Sequence, residues 1–448
     1  MQAGQKYDVG VIGLGYVGLT LAVALAKVGL KVCGVERRKD VVDLTNDGEP
    51  HFSETHLKDA LTSVIQSGHL VATETLLPED HCDVYVVTVG TPLDADGNAR
   101  IDMIEAASAQ VAENMRDGAL VILRSTVKVG TTRDVVTPVL QRSGKTFDVA
   151  MCPERTLEGK AMKELRELPQ IIGADTQEVR DRAGALFRNL TQTTVGVSSL
   201  EAAELVKLVD NTFRDVSFAF ANEVARACEA FGVNALEVIE SGKLAYPRTN
   251  VALPGLVGGP CLEKDPHILR QSVLTKGIDL EITAASRLVN ERQPRETVEF
   301  IDAEMKRRNM PDDATVAMLG IAFKGVPATD DLRGAMSLAV LKALKEVRPH
   351  AKVRLYDPVT GADALQDAAP GTQVAPSVEA CVEGAAVVLI TNNHPVFGEQ
   401  APPLLTARMA DGAFVYDYWN HFGRLSANER GDAYFAVGNT GTATGGAQ

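Results

Sequence analysis

The sequence predicts an α/β protein with two doubly wound, Rossmann-like domains joined by a long central helix within a small helical domain. Three observations predict it. A strand–glycine turn–helix–strand unit occupies Val9–Glu36, a second run of apolar strands and helices begins near Thr315, and between them Ser199–Phe231 runs without Pro or Gly. Short apolar strands alternating with helical stretches mark parallel sheets covered on both faces.

The elements follow in order. Val9–Ile12 is an apolar strand, Gly13-Leu14-Gly15-Tyr16-Val17-Gly18 is a turn, and an Ala/Leu/Val-rich helix runs to about Val28. Lys31–Glu36 is the second strand, so Gly-x-Gly-x-x-Gly sits at the strand-to-helix turn of a βαβ unit. Such glycines allow the tight turn and let a pyrophosphate approach the helix N-terminus. Glu36 ends the second strand about 20 residues on, where an acidic side chain meets ribose hydroxyls. That carboxylate would repel a 2′-phosphate, so the pattern reads as NAD binding, with Arg37 and Arg38 beside it as the basic exception.

Further strands fall at Asp83–Val89, Leu120–Leu123 and Phe147–Met151. Ligand loops follow strand ends in such sheets. Here they carry Thr91, Arg124-Ser125-Thr126 and Pro153-Glu154-Arg155-Thr156-Leu157-Glu158-Gly159. Each hydroxyl in them could equally be a helix cap. On the long central helix Lys207 and Asn211 are four apart and share a face. A helical stretch at Leu280–Arg292 precedes the second α/β pattern, whose strands are Thr315–Leu319, Val353–Tyr356 and Ala385–Thr391, with a helix at Ala335–Val347. The domain boundaries implied are 1–198, 199–305, 306–425 and a flexible tail at 426–448.

Composition excludes some functions. The 448 residues are 45% hydrophobic and 23% charged with a net charge of −14. This is ordinary for a globular protein and opposes a nucleic-acid or anionic-membrane role, since both need basic surface. No apolar run is long enough to span a membrane, and Met1–Tyr7 leads almost directly into a strand, which reads as no signal peptide. The six cysteines, at 33, 82, 152, 228, 261 and 381, show neither metal nor disulfide spacing, so a reducing cytoplasm and no metal are expected.

One cysteine stands apart. Pro254–Pro266 holds three glycines and three prolines around Cys261, a composition foreign to the interior of a helix or central strand. The following Lys264 offers a cation to favour the thiolate, the reactive form. A nicotinamide fold together with a nucleophilic cysteine implies more than one hydride transfer, because an aldehyde held as a thiohemiacetal can be oxidised again. A tight turn around a structural thiol is the blander reading.

The ordered motifs resolve that choice. Gly-x-Gly-x-x-Gly, Val89–Pro92, Ser125–Thr132, Pro153–Gly159, Lys207-x-x-x-Asn211, Gly258–Asp265 and Phe323–Arg333 resemble the UDP-glucose/GDP-mannose dehydrogenase family from about Val9 to Pro358. Pro153-Glu154-Arg155 and Gly258-Gly259-Pro260-Cys261 are more similar to its UDP-N-acetylhexosamine branch.

The resemblance implies that Cys261 is the nucleophile and that Glu154 helps activate the hydrolytic water. It implies that Lys207 and Asn211 hold the C6 oxygen, with Asp265 and Thr126 supporting proton relay. For the cofactor it implies Gly13, Gly15, Tyr16, Val17, Gly18, Glu36, Arg37, Thr91, Ser125, Thr126, Glu158 and Arg333. For the UDP-sugar it implies Glu154, Arg155, Lys207, Asn211, Arg248, Leu253, Gly255, Gly258 and Lys324. The chain departs from the pattern at Leu256, Ala335 and Asp417-Tyr418-Trp419-Asn420.

The function expected is four-electron oxidation of a UDP-sugar at C6 with NAD, with UDP-N-acetylhexosamine favoured, UDP-glucose next and a homodimer through the central helix. A single-step β-hydroxyacid or 6-phosphogluconate-type dehydrogenase is the alternative, and a non-catalytic nucleotide binder is a third reading.

Overall fold

The computed structural model describes residues 6–76, 81–94, 97–399, 405–423, 425 and 433–440. The chain forms two compact units, Met1–Asn211 with His267–Asp279, and Thr212–Pro266 with Leu280–Gln448. The central helix, Leu200–Phe231, contributes residues to both.

The first unit is built on eight strands: β1 (Lys6–Ile12), β2 (Val32–Val35), β3 (Leu70–Thr73), β4 (His81–Val87), β5 (Ala119–Leu123), β6 (Phe147–Met151), β7 (Gln170–Gly173) and β8 (Thr194–Val197). Their order is β3-β2-β1-β4-β5-β6-β7-β8, with only the β6–β7 pair antiparallel. The first six strands therefore have the Rossmann order, which places a ligand crevice at the β1/β4 switch point. All five residues of β5 are buried. Leu120 and Ile122 pack into one core and Ala119, Val121 and Leu123 into another, as the period-two alternation of a strand requires.

The second unit repeats the design in β9 (Thr315–Leu319), β10 (Lys352–Tyr356), β11 (Gln373–Val374), β12 (Val387–Ile390), β13 (Phe414–Asp417) and β14 (Tyr434–Ala436). The order is β11-β10-β9-β12-β13-β14 and all pairs are parallel. Val387 and Leu389 face one core, Val388 and Ile390 the other. The chain thus has two Rossmann-like sheets and a helical segment between them in sequence. Among the described residues, no helix is long and apolar enough to cross a membrane.

Three features correct the sequence reading. The expected tail at 426–448 contains β14, whose three residues are buried beside β13; the rest of that tail, apart from 433 and 437–440, lies outside the described residues. The apolar run Ala433–Val437 stands alone between polar and glycine-rich stretches, which is why composition assigned it to a tail.

The helix expected at Leu280–Arg292 continues through Pro294 to Arg307. Proline inside a helix costs about 3 kcal/mol. Val298, Ile301 and Met305 beyond it are fully buried, and burial at about 1.5–3 kcal/mol each exceeds that cost. Finally, the cysteine loop holds one helical turn, Gly259–Leu262, and Asp265 opens the next helix, Asp265–Leu274. Pro260 and Pro266 fit because each falls in a first turn, where no intrahelical N–H is needed, and Pro254 lies outside both helices.

Candidate active site

The first unit carries the dinucleotide turn. Gly13 sits at φ +94°, a conformation that disfavours any side chain. A Cβ at Gly18 would lie 1.8 Å from the Gly13 carbonyl oxygen, whereas one at Gly15 would meet nothing within 4 Å. The three glycines therefore serve a tight turn, an open approach and close helix–strand packing, which is the division of labour a pyrophosphate site requires. Gly15 caps the helix Tyr16–Lys27 without a side-chain acceptor, leaving its first N–H groups for an anion.

Glu36 accepts the Leu14 N–H at 3.0 Å and the Arg38 N–H at 3.1 Å, which fixes its carboxylate at the end of β2. Arg38 is taken up by Asp40 and Arg37 is exposed. Tyr16 donates to Glu54, and the Gly159 N–H reaches both the Tyr16 hydroxyl (3.0 Å) and Glu54 Oε2 (2.6 Å). The glycine turn is thereby tied to the Glu158–Gly159 loop. Burial and the Glu54 carboxylate push the Tyr16 hydroxyl far above its ordinary pKa, so it stays a neutral donor.

Next to the turn, Thr91 Oγ1 donates to the Thr126 carbonyl at 2.5 Å and Ser125 Oγ to the Val89 carbonyl at 2.6 Å. Both hydroxyl protons bind loop backbone. Glu154 is 7% exposed, Lys207 7% and Asn211 6%. The Lys207 ammonium acts electrostatically on the Glu154 carboxylate. Arg155 turns away from this pair, donating to the Pro169 carbonyl at 2.8 Å and meeting Asp210 at 3.5 Å. Its expected sugar contact would have to be made with the N–H groups that these two partners leave over.

The second unit carries the thiol. Cys261 lies in the turn Gly259–Leu262, entered at Gly259 with φ +88°. The Gly259 N–H donates to the Gly334 carbonyl at 2.7 Å, and a Cβ at Gly258 would lie 2.3 Å from that same oxygen. Phe323 covers Gly259, Trp419 covers Gly255, and Lys324 rests over the Phe323 ring at 5.0 Å. The Phe323–Arg333 motif thus meets the cysteine loop. Arg333 is held by Asp331 in a two-pronged pair with its side chain 66% exposed. Arg248 lies over the Tyr246 ring at 4.6 Å and Leu253 is 43% exposed.

Lys264 donates to Asp265 Oδ1 at 2.7 Å, and Asp265 is fully buried. The cation expected to favour the thiolate is therefore matched by an adjacent anion, which reduces its field at Cys261.

All three models of one family match this chain: the NAD binding domain over residues 7–191, the central domain over 201–292 and the UDP binding domain over 317–424. The chain belongs to the UDP-glucose/GDP-mannose dehydrogenase family. It is 35% identical over 396 residues to the UDP-N-acetyl-D-mannosamine dehydrogenase of Pyrococcus horikoshii, covering 87% of this chain and 90% of the relative. The NDP-N-acetyl-D-galactosaminuronic acid dehydrogenase of Ralstonia nicotianae is 30% identical, covering 90% and 94%. Among solved structures, the Pyrococcus horikoshii UDP-D-ManNAc dehydrogenase superposes with a TM-score of 0.87 at 31% identity over 98% of this chain and 100% of that one. A UDP-glucose dehydrogenase from Pyrobaculum islandicum gives 0.85 at 27%, over 98% and 99%.

As a member of this family, the chain is an NAD-dependent UDP-sugar dehydrogenase. NAD supplies the hydride acceptor, and the Gly13–Gly18 turn with Glu36 fits it.

Several family-site neighbours were given no role in the sequence reading, although Arg124 was placed in a ligand loop. Glu54 and Arg124 are two. Arg124 follows the wholly apolar β5, and an arginine entering a dry sheet end must find an anion; that was a usable signal. Others are Asp215, Asn222, Arg287 and Asn290, a buried polar network of the second unit. Asn222 takes the Gly255 N–H at 2.9 Å and donates to the Gly255 carbonyl at 3.1 Å, while Arg287 donates to Asp215 at 2.6 Å and to the Leu262 carbonyl at 3.1 Å. The network grips the cysteine loop on both sides of Cys261.

Five cysteines are buried and Cys261 is half-exposed. Burial pushes the Cys152 thiol up to about 12 against the opposing Arg124, and the Cys381 thiol up to about 12 against Arg354. At pH 8 iodoacetamide should therefore alkylate Cys261 first, with loss of activity. Peptide mapping checks this, and equal labelling of Cys152 would contradict it.

Proposed function

We propose that this enzyme oxidises the C6 hydroxyl of a UDP-N-acetylhexosamine to the carboxylate, consuming two NAD and one water. The carrying observation is that the half-exposed thiol, Cys261, lies on a loop braced by the UDP-binding unit of a chain whose other unit binds NAD. The N-acetylhexosamine choice is supported by relatives named for N-acetylmannosamine and N-acetylgalactosaminuronic acid.

In the first step the C6 alcohol loses a hydride to NAD and its hydroxyl proton to a base, giving an aldehyde. The Cys261 thiol then adds across the carbonyl: an S–C bond forms and its proton passes to the oxygen. Loss of a second hydride to NAD and of that proton gives the thioester. Water attacks the acyl carbon, the C–S bond breaks, and carboxylate, thiol and one proton result.

In this reading Lys207 and Asn211 hold the C6 oxygen, Lys207 stabilising the developing alkoxide electrostatically. Glu154 serves the water step, with Thr126 and Asp265 supporting the relay. Glu158 and Arg333 bind the cofactor, and Arg248, Leu253, Gly255, Gly258 and Lys324 bind the nucleotide sugar. A homodimer through the central helix is proposed on Phe213 and Phe220, seven residues apart on one face and 70% and 54% exposed.

The test is NADH yield per sugar across UDP-glucose, UDP-galactose, UDP-N-acetylglucosamine and UDP-N-acetylmannosamine. Two NADH per sugar on an N-acetylhexosamine is expected. One NADH, or two on UDP-glucose alone, overturns the reaction or the substrate respectively.

A further inference from the structure

Arg124 is a fully enclosed arginine, with a side chain 1% exposed, at the C-terminal end of β5. Its guanidinium donates through Nε to Glu154 Oε2 at 3.0 Å and through Nη2 to the same oxygen. Nη1 donates to the Cys152 carbonyl at 3.1 Å and to Gln170 Oε1 at 2.8 Å, and the group lies 5.2 Å over the Phe187 ring. Gln170 in turn donates to the Pro153 carbonyl at 3.2 Å. The other Glu154 oxygen, Oε1, takes the Arg155 and Thr156 N–H groups at 2.7 Å each.

A carboxylate offers about four lone-pair directions, and Glu154 has four donors on them. It is consequently held in one place and one rotamer. A water can be served only from the edge of this set, in the orientation the set dictates.

We propose that Arg124 is a positioning residue for thioester hydrolysis: its grip on Glu154 Oε2 and on the Cys152 carbonyl holds the Pro153–Leu157 loop and the Glu154 carboxylate where the hydrolytic water must be met. The inference rests on the reaction proposed above. It makes Glu154 a fixed anion whose value lies in placement, with little basicity left. Burial alone would raise its pKa; the guanidinium of Arg124, the Thr156 N–H and the Lys207 ammonium outweigh burial and hold it below the ordinary carboxylate range. The neighbouring Cys152 thiol is neutral, and the Arg155 side chain is engaged with Asp210 and the Pro169 carbonyl.

The test compares Arg124→Lys and Arg124→Gln with the wild type in rapid-quench turnover, following NADH and the mass of the enzyme. Both variants should release the first two NADH per active site at near wild-type rate. They should then accumulate an acyl adduct on Cys261, with hydrolysis slowed about 100-fold in the Gln variant, the loss typical of an ångström-scale misplacement, and less in the Lys variant. Removing the charge leaves burial less opposed, so Glu154 protonates more readily and the acid limb of the hydrolysis rate moves to higher pH in Arg124→Gln. In Arg124→Lys the charge remains and the limb stays in place.

Wild-type hydrolysis in Arg124→Lys overturns the proposal, as does equal slowing of the NADH burst and hydrolysis in either variant. If the Gln variant fails to fold, the Lys variant decides alone. Failure of the underlying reaction is distinguishable, because the wild type itself would then show neither a two-NADH burst nor dependence on Cys261.

Discussion

Cys261→Ser should abolish acid formation, with turnover falling by on the order of 10⁴-fold or more, as when other covalent nucleophiles are removed. A serine hydroxyl stays protonated at neutral pH and is a far weaker nucleophile than a thiol with even a few per cent thiolate. The affinity for NAD should stay within about twofold, because the glycine turn and Glu36 belong to the first unit and Cys261 to the second. Chromatographic measurement of the uronate product and titration of NAD by fluorescence check the two halves. Uronate production at the wild-type rate would remove the covalent mechanism, whatever the binding data show.

Arg287→Met should be the most damaging change to stability outside the two sheets. Asp215 is fully buried and receives Arg287 Nη1 at 2.6 Å, Ser286 Oγ at 3.1 Å and Asn290 Nδ2 at 2.9 Å. Removing the arginine strands a buried carboxylate, which costs about 3–5 kcal/mol. For a unit of this size that corresponds to a fall in its unfolding midpoint on the order of 10 °C. The loss also frees the Leu262 carbonyl next to Cys261, so kcat should drop even below the melting range.

The double change Asp215→Leu with Arg287→Met should recover much of the stability, because no charge is then left buried, yet little of the activity, because the Leu262 carbonyl remains unheld. Calorimetry and steady-state rates on the three variants decide it. A midpoint for Arg287→Met within a degree or two of wild type would show that Asp215 has found another partner.

Both predictions depend on contacts of different range, and so did what could be read beforehand. The glycine turn, Glu36 and the long helix are local patterns: a positive φ at Gly13, an acid at the end of β2, a stretch without helix breakers. The strands β1, β2, β4, β5, β6, β9, β10 and β12 were legible because each holds a short, mostly apolar run bounded by turn or helix signals. β3, β7, β8, β11 and β13 were missed, being short, of two to four residues in edge or near-edge places, with too little periodicity to stand out. β14 was hidden in a stretch that composition assigned to a tail. The helix through Pro294 defeated a local rule because packing of Val298, Ile301 and Met305 outweighed it.

The sequence by itself determined that this chain has two nucleotide-type sheets, a dinucleotide turn that fits NAD and a thiol in a glycine-rich loop, because each follows from residues within one element or one turn. Tertiary structure alone decided which charges meet. Arg124 and Glu154 are 30 residues apart and Arg287 and Asp215 are 72 apart; no local pattern couples them. Lys264 lies beside Asp265 in the chain, yet only the fold shows that Asp265 is buried and that the ammonium is paired with it. The physical reason is common to all three. An ionised group removed from water must be matched by an opposite charge or by donors, and the identity of the match is set by the fold that removes the water.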